Sequence, residues 1–302
     1  MDRDIIGDIT EHPELSEAER GLQLRFHLDE DQLRWRRWCV AANCGGDEDV
    51  FCQEYPSCPE EAFLSSGRPV FDGRSLTAAL AGAEQGKRGI LREQDGRLRF
   101  CAGEGRYLTV YDRPGAGAEY VIGCDVAAGF RGGDYSAAAV VDRDSLRVAA
   151  CWHGHMEPEL FGRELLLLTR WYNRALLIPE ANNHGIAVLG ELRRAGYGRV
   201  FRRRDGEAGW LTTQTSKPAL VGSLAAYIRE DASRIRDRET ISECLCYVYD
   251  EKGHANAMSG AHDDQVIALA LAVHFLLERP AGPRIPQIDL REAYGVNKTT
   301  GY

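Results

Sequence analysis

The sequence predicts an α/β fold, a mixed sheet with an antiparallel hairpin edge flanked by helices. Three observations carry that prediction. Tyr120–Cys124 (YVIGC) is apolar and partly β-branched, as a buried strand is, and after a glycine-rich turn Tyr135–Val141 (YSAAAVV) can pair with it antiparallel. A third strand-like run, Leu146–His153, then gives way to alternating helix and strand patterns. Finally, Asp264–Glu278 (DQVIALALAVHFLLE) is an almost unbroken apolar helix, which belongs in a core.

In chain order, an amphipathic stretch runs from Leu15 to Leu28, and Leu28–Val40 reads as a helix with Leu33, Trp35 and Trp38 among its apolar positions. Pro56, Pro59 and Pro69 forbid a long regular element, leaving a short helix at Pro59–Leu64 between extended connectors. Leu76–Lys87 reads as a helix and Arg88–Val110 as a small antiparallel ribbon. After the three strands come a helix at Pro158–Arg174, a strand at Ala175–Ile178, a helix at Asn183–Ala195 and a short strand near Val200. Ser216–Glu230 sets Leu220, Leu224 and Ile228 on one helical face, with Ser216 as N-cap, and Cys244–Tyr249 reads as a late strand. The division expected is an acidic helical and linker segment over 1–70, a main domain over 71–280 and a tail over 281–302.

At 302 residues the chain can bury a substantial core, and no apolar run is long enough to span a bilayer. The N-terminus lacks the charged-then-apolar pattern of a signal peptide, so an intracellular protein with reduced thiols is expected. Its nine cysteines form no CxxC pair, and the spacings of Cys39, Cys44, Cys52 and Cys58 fit no common zinc knuckle. The net charge of −9 argues against a nucleic-acid partner only until it is divided along the chain. Residues 1–61 hold 16 of the 46 acids and 6 of the 37 bases, so the remainder is balanced and can carry a basic face beside an acidic site.

Three acidic loci stand out. Asp125 ends the first strand, where a charge is costly unless compensated. Glu180 repeats that situation after the run Ala175–Ile178 and Pro179, and strand ends of open α/β sheets are where sites form. Asp263 and Asp264 open the apolar last helix, and capping explains one aspartate there better than two. Each locus alone is most simply a turn or a cap. Together, carboxylates converging on one point need cations to offset their repulsion, and hard oxygen ligands select Mg²⁺ or Mn²⁺. Two such ions can activate a water and stabilise the leaving oxygen of a phosphodiester. His262 is placed to assist proton transfer.

These stretches resemble the nuclease domain of the large terminase subunit of tailed bacteriophages. The resemblance is carried by QLRWRRW, QEYPSCPEEAFLSSGRPVFD, VIGCDVAAGFRGGDYSAAAVV, IPEANNHG, TSKPALVGSL and SGAHDDQVIALALA, in the family's order over most of the chain. It implies a ribonuclease H-like fold and a metal-dependent DNA endonuclease that cuts concatemeric viral DNA during packaging. It further implies that Asp125, Glu180 and one or both of Asp263 and Asp264 are metal ligands, without choosing between the pair. The implied partners are double-stranded DNA, a small terminase subunit and a portal, and the implied location is the cytoplasm of the infected bacterial host. Complete large terminases also carry an ATPase motor, but nothing here matches G-x-x-x-x-G-K-[ST], and Gly82–Arg88 (GAEQGKR) has the wrong spacing. An excised piece or a shortened natural chain without ATP hydrolysis is therefore expected.

For DNA, Arg193, Arg194, Arg199, Arg202, Arg203 and Arg204 place six positive charges in twelve residues without an acid, soon after Glu180. Beside a carboxylate site, that run would supply sequence-independent phosphate contacts; Lys217, at a helix start, is a further candidate. Two other readings stand beside this one: another ribonuclease H-like nuclease of the resolvase, transposase or RNase H type, and a non-catalytic module that docks to a packaging motor.

Overall fold

In the computed structural model, residues 15–26, 28–48, 50–51, 55, 68–103, 105, 107–130 and 133–279 are described. The predicted short helix at Pro59–Leu64 and tail at 281–302 lie outside them, as do Cys52 and Cys58. The N-terminal helices are α1 (Glu17–Phe26) and α2 (Glu30–Ala42), the latter opened by a capping box between Asp29 and Gln32. Cys39, Cys44 and Phe51 form a small apolar cluster of their own.

The main domain is a seven-stranded sheet. Its strands are β2 (Lys87–Gln94), β3 (Arg97–Ala102), β4 (Leu108–Val110), β5 (Tyr120–Asp125), β6 (Ser136–Asp142), β7 (Val148–Gly154) and β8 (Leu176–Pro179), in the spatial order β3-β2-β4-β7-β6-β5-β8. Every pairing is antiparallel except β5 with β8, which is parallel, and the β2–β3 hairpin forms one edge. A separate small sheet joins β1 (Arg68–Pro69), β9 (Tyr247–Tyr249) and β10 (Ala255–Ala257). Two- and three-residue strands leave no alternation to read, so β1 and β10 had no signal in the sequence.

Helices cover both faces. On one lie α4 (Pro158–Trp171) and α5 (Gly185–Arg194), packed over Ile122, Cys124, Ala138 and Val140. On the other lie α3 (Gly73–Ala81), α6 (Lys217–Asp231), α7 (Arg238–Leu245) and α8 (Asp264–Glu278), packed over Val121, Ala137, Ala139 and Ile178. A strand that alternates between two covered faces is apolar throughout, which is why β5, β6 and β8 read as unbroken runs.

Five local expectations are corrected. The helix expected at Leu76–Lys87 is α3, which starts at Gly73 because the Asp72 carboxylate caps Arg74 and Ser75 N–H, and stops before Gly82. Cys244 and Leu245 are helical: Asp237 caps α7 through Thr240 N–H, and only Tyr247–Tyr249 is strand. The helix after Glu180 begins at Gly185 rather than Asn183, which has φ +31°. Ser216 stands at the start of α6 but gives no cap; its hydroxyl donates to Leu211 O at 2.9 Å. Near Val200 there is a single bridge to Leu177 rather than a strand.

Candidate metal and catalytic site

Strand parity aims the first two carboxylates. Along β5, Val121 and Gly123 face α8, so Asp125, two residues further, shares that face. Along β8, Ile178 packs on the same side and Glu180 continues its parity. The register pairs Cys124 with Pro179, so Asp125 and Glu180 emerge side by side at the carboxyl ends of parallel neighbours. Glu180 is anchored there by its N–H on Cys124 O at 2.9 Å and by Asn182 Nδ2, which donates to its Oε1 at 3.2 Å.

Helix α8 brings the third. It crosses β5 at Gly123, where a Cβ would sit 2.1 Å from Ala268 O, so only glycine permits the approach. From that crossing, Asp125 lies two strand residues away and Asp264 four helix residues away, each roughly 6 Å toward the same end. Asp264 is buried, and its Oδ2 accepts from Tyr135 N–H at 3.1 Å.

Electrostatics agrees with this convergence. Burial foremost, then the Glu180 carboxylate, a hydrogen bond with it, and the charge of Asp264 push the Asp125 carboxyl well above the usual carboxylate range. Burial foremost, then Asp134 and Asp263, push Asp264 up to about 6 against the Tyr135 N–H and His262. Like charges forced together and walled off from water are what a hard divalent cation neutralises, and the donor set, all carboxylate oxygen, suits Mg²⁺ or Mn²⁺ chemically. Among the described residues, no three His, Cys, Asp or Glu side chains stand in a ligating arrangement for one ion. Asp125 and Glu180 make direct contact, and Asp264 is within electrostatic reach.

The paired aspartates have different surroundings. Asp263 occupies the N-cap position of α8 yet makes no capping hydrogen bond, and its Oδ2 lies 3.6 Å from Lys217 Nζ. Lys217 in turn donates to Asn256 Oδ1 at 3.1 Å. His262 Nδ1 is 3.8 Å from both Asp134 and Asp264 carboxylates.

The arginine run borders a groove. Arg202, Arg203 and Arg204 line a groove with Trp210, His274 and Phe275. That groove meets α8 two to three turns beyond Asp264, roughly 10–17 Å along the helix, and reaches Ile178, two residues before Glu180, and Trp210, which is bridged to Glu180. Arg194 is farther round, on α5, paired with Glu191 at 2.6 Å.

Sequence reasoning passed over Tyr135, His153, His155, Glu239 and Glu243. Tyr135 stacks on His155 with ring centroids 4.0 Å apart and contacts His153 and His262 edgewise or tilted. His153 Nδ1 lies 3.4 Å from Glu239, and Nε2 lies 4.0 Å from Glu243. The signal was the His153-Gly154-His155 spacing at a strand end, which puts both imidazoles on the Asp125 face.

A mixed sheet with this order, helices on both faces and carboxylates at the ends of β5 and β8 defines a ribonuclease H-like domain. The chain belongs to the terminase RNase H-like domain family, whose model matches residues 122–275. It is similar to the large terminase nuclease from thermophilic phage G20c solved with bound magnesium, with TM-score 0.50 and 19% identity, covering 69% of this chain and 97% of that one. The large terminase nuclease domain of Thermus phage P74-26 aligns with TM-score 0.45 and 19% identity, over 65% and 93% of the two chains. No curated protein matches the chain. Among the described residues, no helix is long and apolar enough to cross a membrane.

Proposed function

We propose that the chain is a metal-dependent endonuclease of phage DNA packaging, hydrolysing phosphodiester bonds of double-stranded DNA. The observation that carries this reading is the convergence of Asp125, Glu180 and Asp264 from two strand ends and one helix start. Asp125, Glu180 and Asp264 would hold two Mg²⁺ or Mn²⁺ ions, with Asp263 at the margin; bound magnesium in the G20c nuclease supports that class of ion. When bound, the ions supply Lewis-acid polarisation of the phosphodiester and of water. The chain's own residues do the rest. Lys217, beside Asp263, holds a backbone phosphate at the rim of the site. His262 faces Asp264 and is placed to carry a proton away. Arg194, Arg202, Arg203 and Arg204 hold duplex backbone away from the cut, without reading sequence.

Family membership extends the reading to a small terminase subunit and a portal as partners, and to the cytoplasm of an infected bacterium. That no three His, Cys, Asp or Glu side chains among the described residues stand ready to ligate one ion favours a second reading, a docking module that does not cut. Conversion of supercoiled plasmid to nicked and linear forms separates the two. The nuclease requires Mn²⁺- or Mg²⁺-dependent cutting that EDTA and Asp125→Ala each abolish; an intact chain inert with both metals leaves the docking module.

A further inference from the structure

The first turn of a helix presents N–H groups without intrahelical partners, and the residue at the N-cap ordinarily accepts from the second or third of them. In α8 those two donors belong to Gln265 and Val266, and Asp263 is the cap residue. Yet both donate to Glu243 of α7: its Oε2 accepts from Gln265 N at 2.9 Å and from Val266 N at 3.3 Å. Its Oε1 accepts from Gln265 Nε2 at 3.1 Å, and the Gln265 amide is oriented for this by Thr240, whose hydroxyl donates to Gln265 Oε1 at 3.1 Å. His153 Nε2, from β7, lies 4.0 Å from the same carboxylate without a hydrogen bond to it. The Glu243 side chain is 12% exposed, so this is an interior contact between elements.

We propose that Glu243 is a positioning residue that caps α8 in place of Asp263, and so keeps the Asp263 carboxylate free to face the cation site and Lys217. The inference rests on the nuclease reading and extends it. A cap supplied by the helix's own aspartate would turn Asp263 back onto Gln265 and Val266, away from Lys217. A cap supplied by α7 also fixes the height of the first turn, and with it Asp264.

Removal of Glu243 then has a specific consequence: Asp263 falls into the vacated cap. Mn²⁺ binding, followed by calorimetry, is expected to weaken about tenfold or more in Glu243→Ala, the usual cost of losing an outer partner of a metal site. Glu243→Asp, one methylene shorter and gentler on the fold, is expected to lose affinity likewise, whereas Glu243→Gln keeps an oxygen for the two backbone donors and retains most of it. Without metal, Asp263→Ala leaves the melting temperature of the wild type unchanged but lowers it in the Glu243→Ala background, where Asp263 has become the cap. A purely structural Glu243 would lower the metal-free melting temperature and leave Mn²⁺ affinity intact. That result, or equal effects of Asp263→Ala in the two backgrounds, overturns the proposal. A wild-type chain that binds no Mn²⁺ sinks the nuclease reading itself.

Discussion

Asp125 and Glu180 each stand one residue past a register pair, Cys124 with Pro179, on the same face of parallel neighbours, and after burial the Glu180 carboxylate is the largest influence raising the Asp125 carboxyl. Two carboxylates buried so close together can both ionise only at a cost in mutual repulsion. The fold therefore holds them against their own repulsion, and four consequences of this and other contacts can be measured.

Asp125→Asn removes a carboxyl whose raised pKa costs the folded state stability at any pH above the ordinary carboxylate value, while keeping shape and hydrogen-bonding capacity. In metal-free protein at neutral pH, thermal unfolding is expected to shift upward. Relief equal to one pKa unit, about 1.4 kcal/mol, raises Tm by about 2–4 °C for a domain of this size. The same substitution is expected to abolish both cleavage and the upward Tm shift that Mn²⁺ gives the wild type. A metal-free Tm at or below wild type would show that the pair is not repulsive.

Gly123→Ala drives a methyl group into the backbone of α8 at Ala268 O and Ala272 N. Overpacking against backbone, which cannot yield as a side chain does, is expected to cost about 3 kcal/mol in urea unfolding. Gly190→Ala is the contrasting case, since its Cβ would meet nothing within 4 Å inside α5. Helix propensity there predicts a gain of about 0.5–1 kcal/mol.

Lys217→Ala is expected to weaken duplex binding at every sequence tested and to reduce the slope of log affinity against log salt by about 0.9, one phosphate contact. Arg204→Ala is expected to reduce the slope as well, but with the cutting rate at saturating DNA unchanged, since Arg204 lines the groove rather than pairing with a carboxylate of the site. Fluorescence anisotropy across a salt series measures the first effect and single-turnover cleavage the second.

Glu19 and Arg37 join α1 to α2 through paired hydrogen bonds of 2.5 and 2.6 Å, and the Arg37 guanidinium holds the Glu19 carboxyl down at about 2. A lowered carboxyl pKa stabilises the folded pair at any pH above the unfolded value of 4.5, and the benefit drains away as pH falls from 4.5 toward 2. Limited proteolysis within 15–42 is thus expected to accelerate over that window in the wild type. In Arg37→Gln, cleavage is expected to be faster already at neutral pH and to change less on acidification.

Much of this was legible in the residues. β5, β6, β7, α4, β8 and α8 are long or strongly apolar, so periodicity alone located them and fixed which acidic residues end them. That Asp125 and Glu180 share one face follows from the register of β5 with β8, which the sequence did not disclose. What sequence did not disclose is which helix covers that face, because the Gly123–Ala268 crossing is a relation between segments far apart in the chain. Nor did it disclose α7: RETISECL is short and carries Thr, Ile and Cys, all indifferent helix formers, and its Asp237 cap acts through one hydrogen bond. Missing α7 meant missing Glu243. The arginine run was visible, but its distance from the carboxylates depended on the direction in which α8 leaves them.

The crossing of α8 over β5 also sets when the acidic centre comes into being. Its members lie at positions 125, 180 and 264, and the last arrives on the final helix among the described residues. A nascent chain that has emerged only through β8 has two carboxylates at adjacent strand ends and nothing across from them. Completion of the centre therefore coincides with completion of the domain. In a newly made molecule the three carboxylates are not assembled until α8 has been synthesised and has seated itself over Gly123.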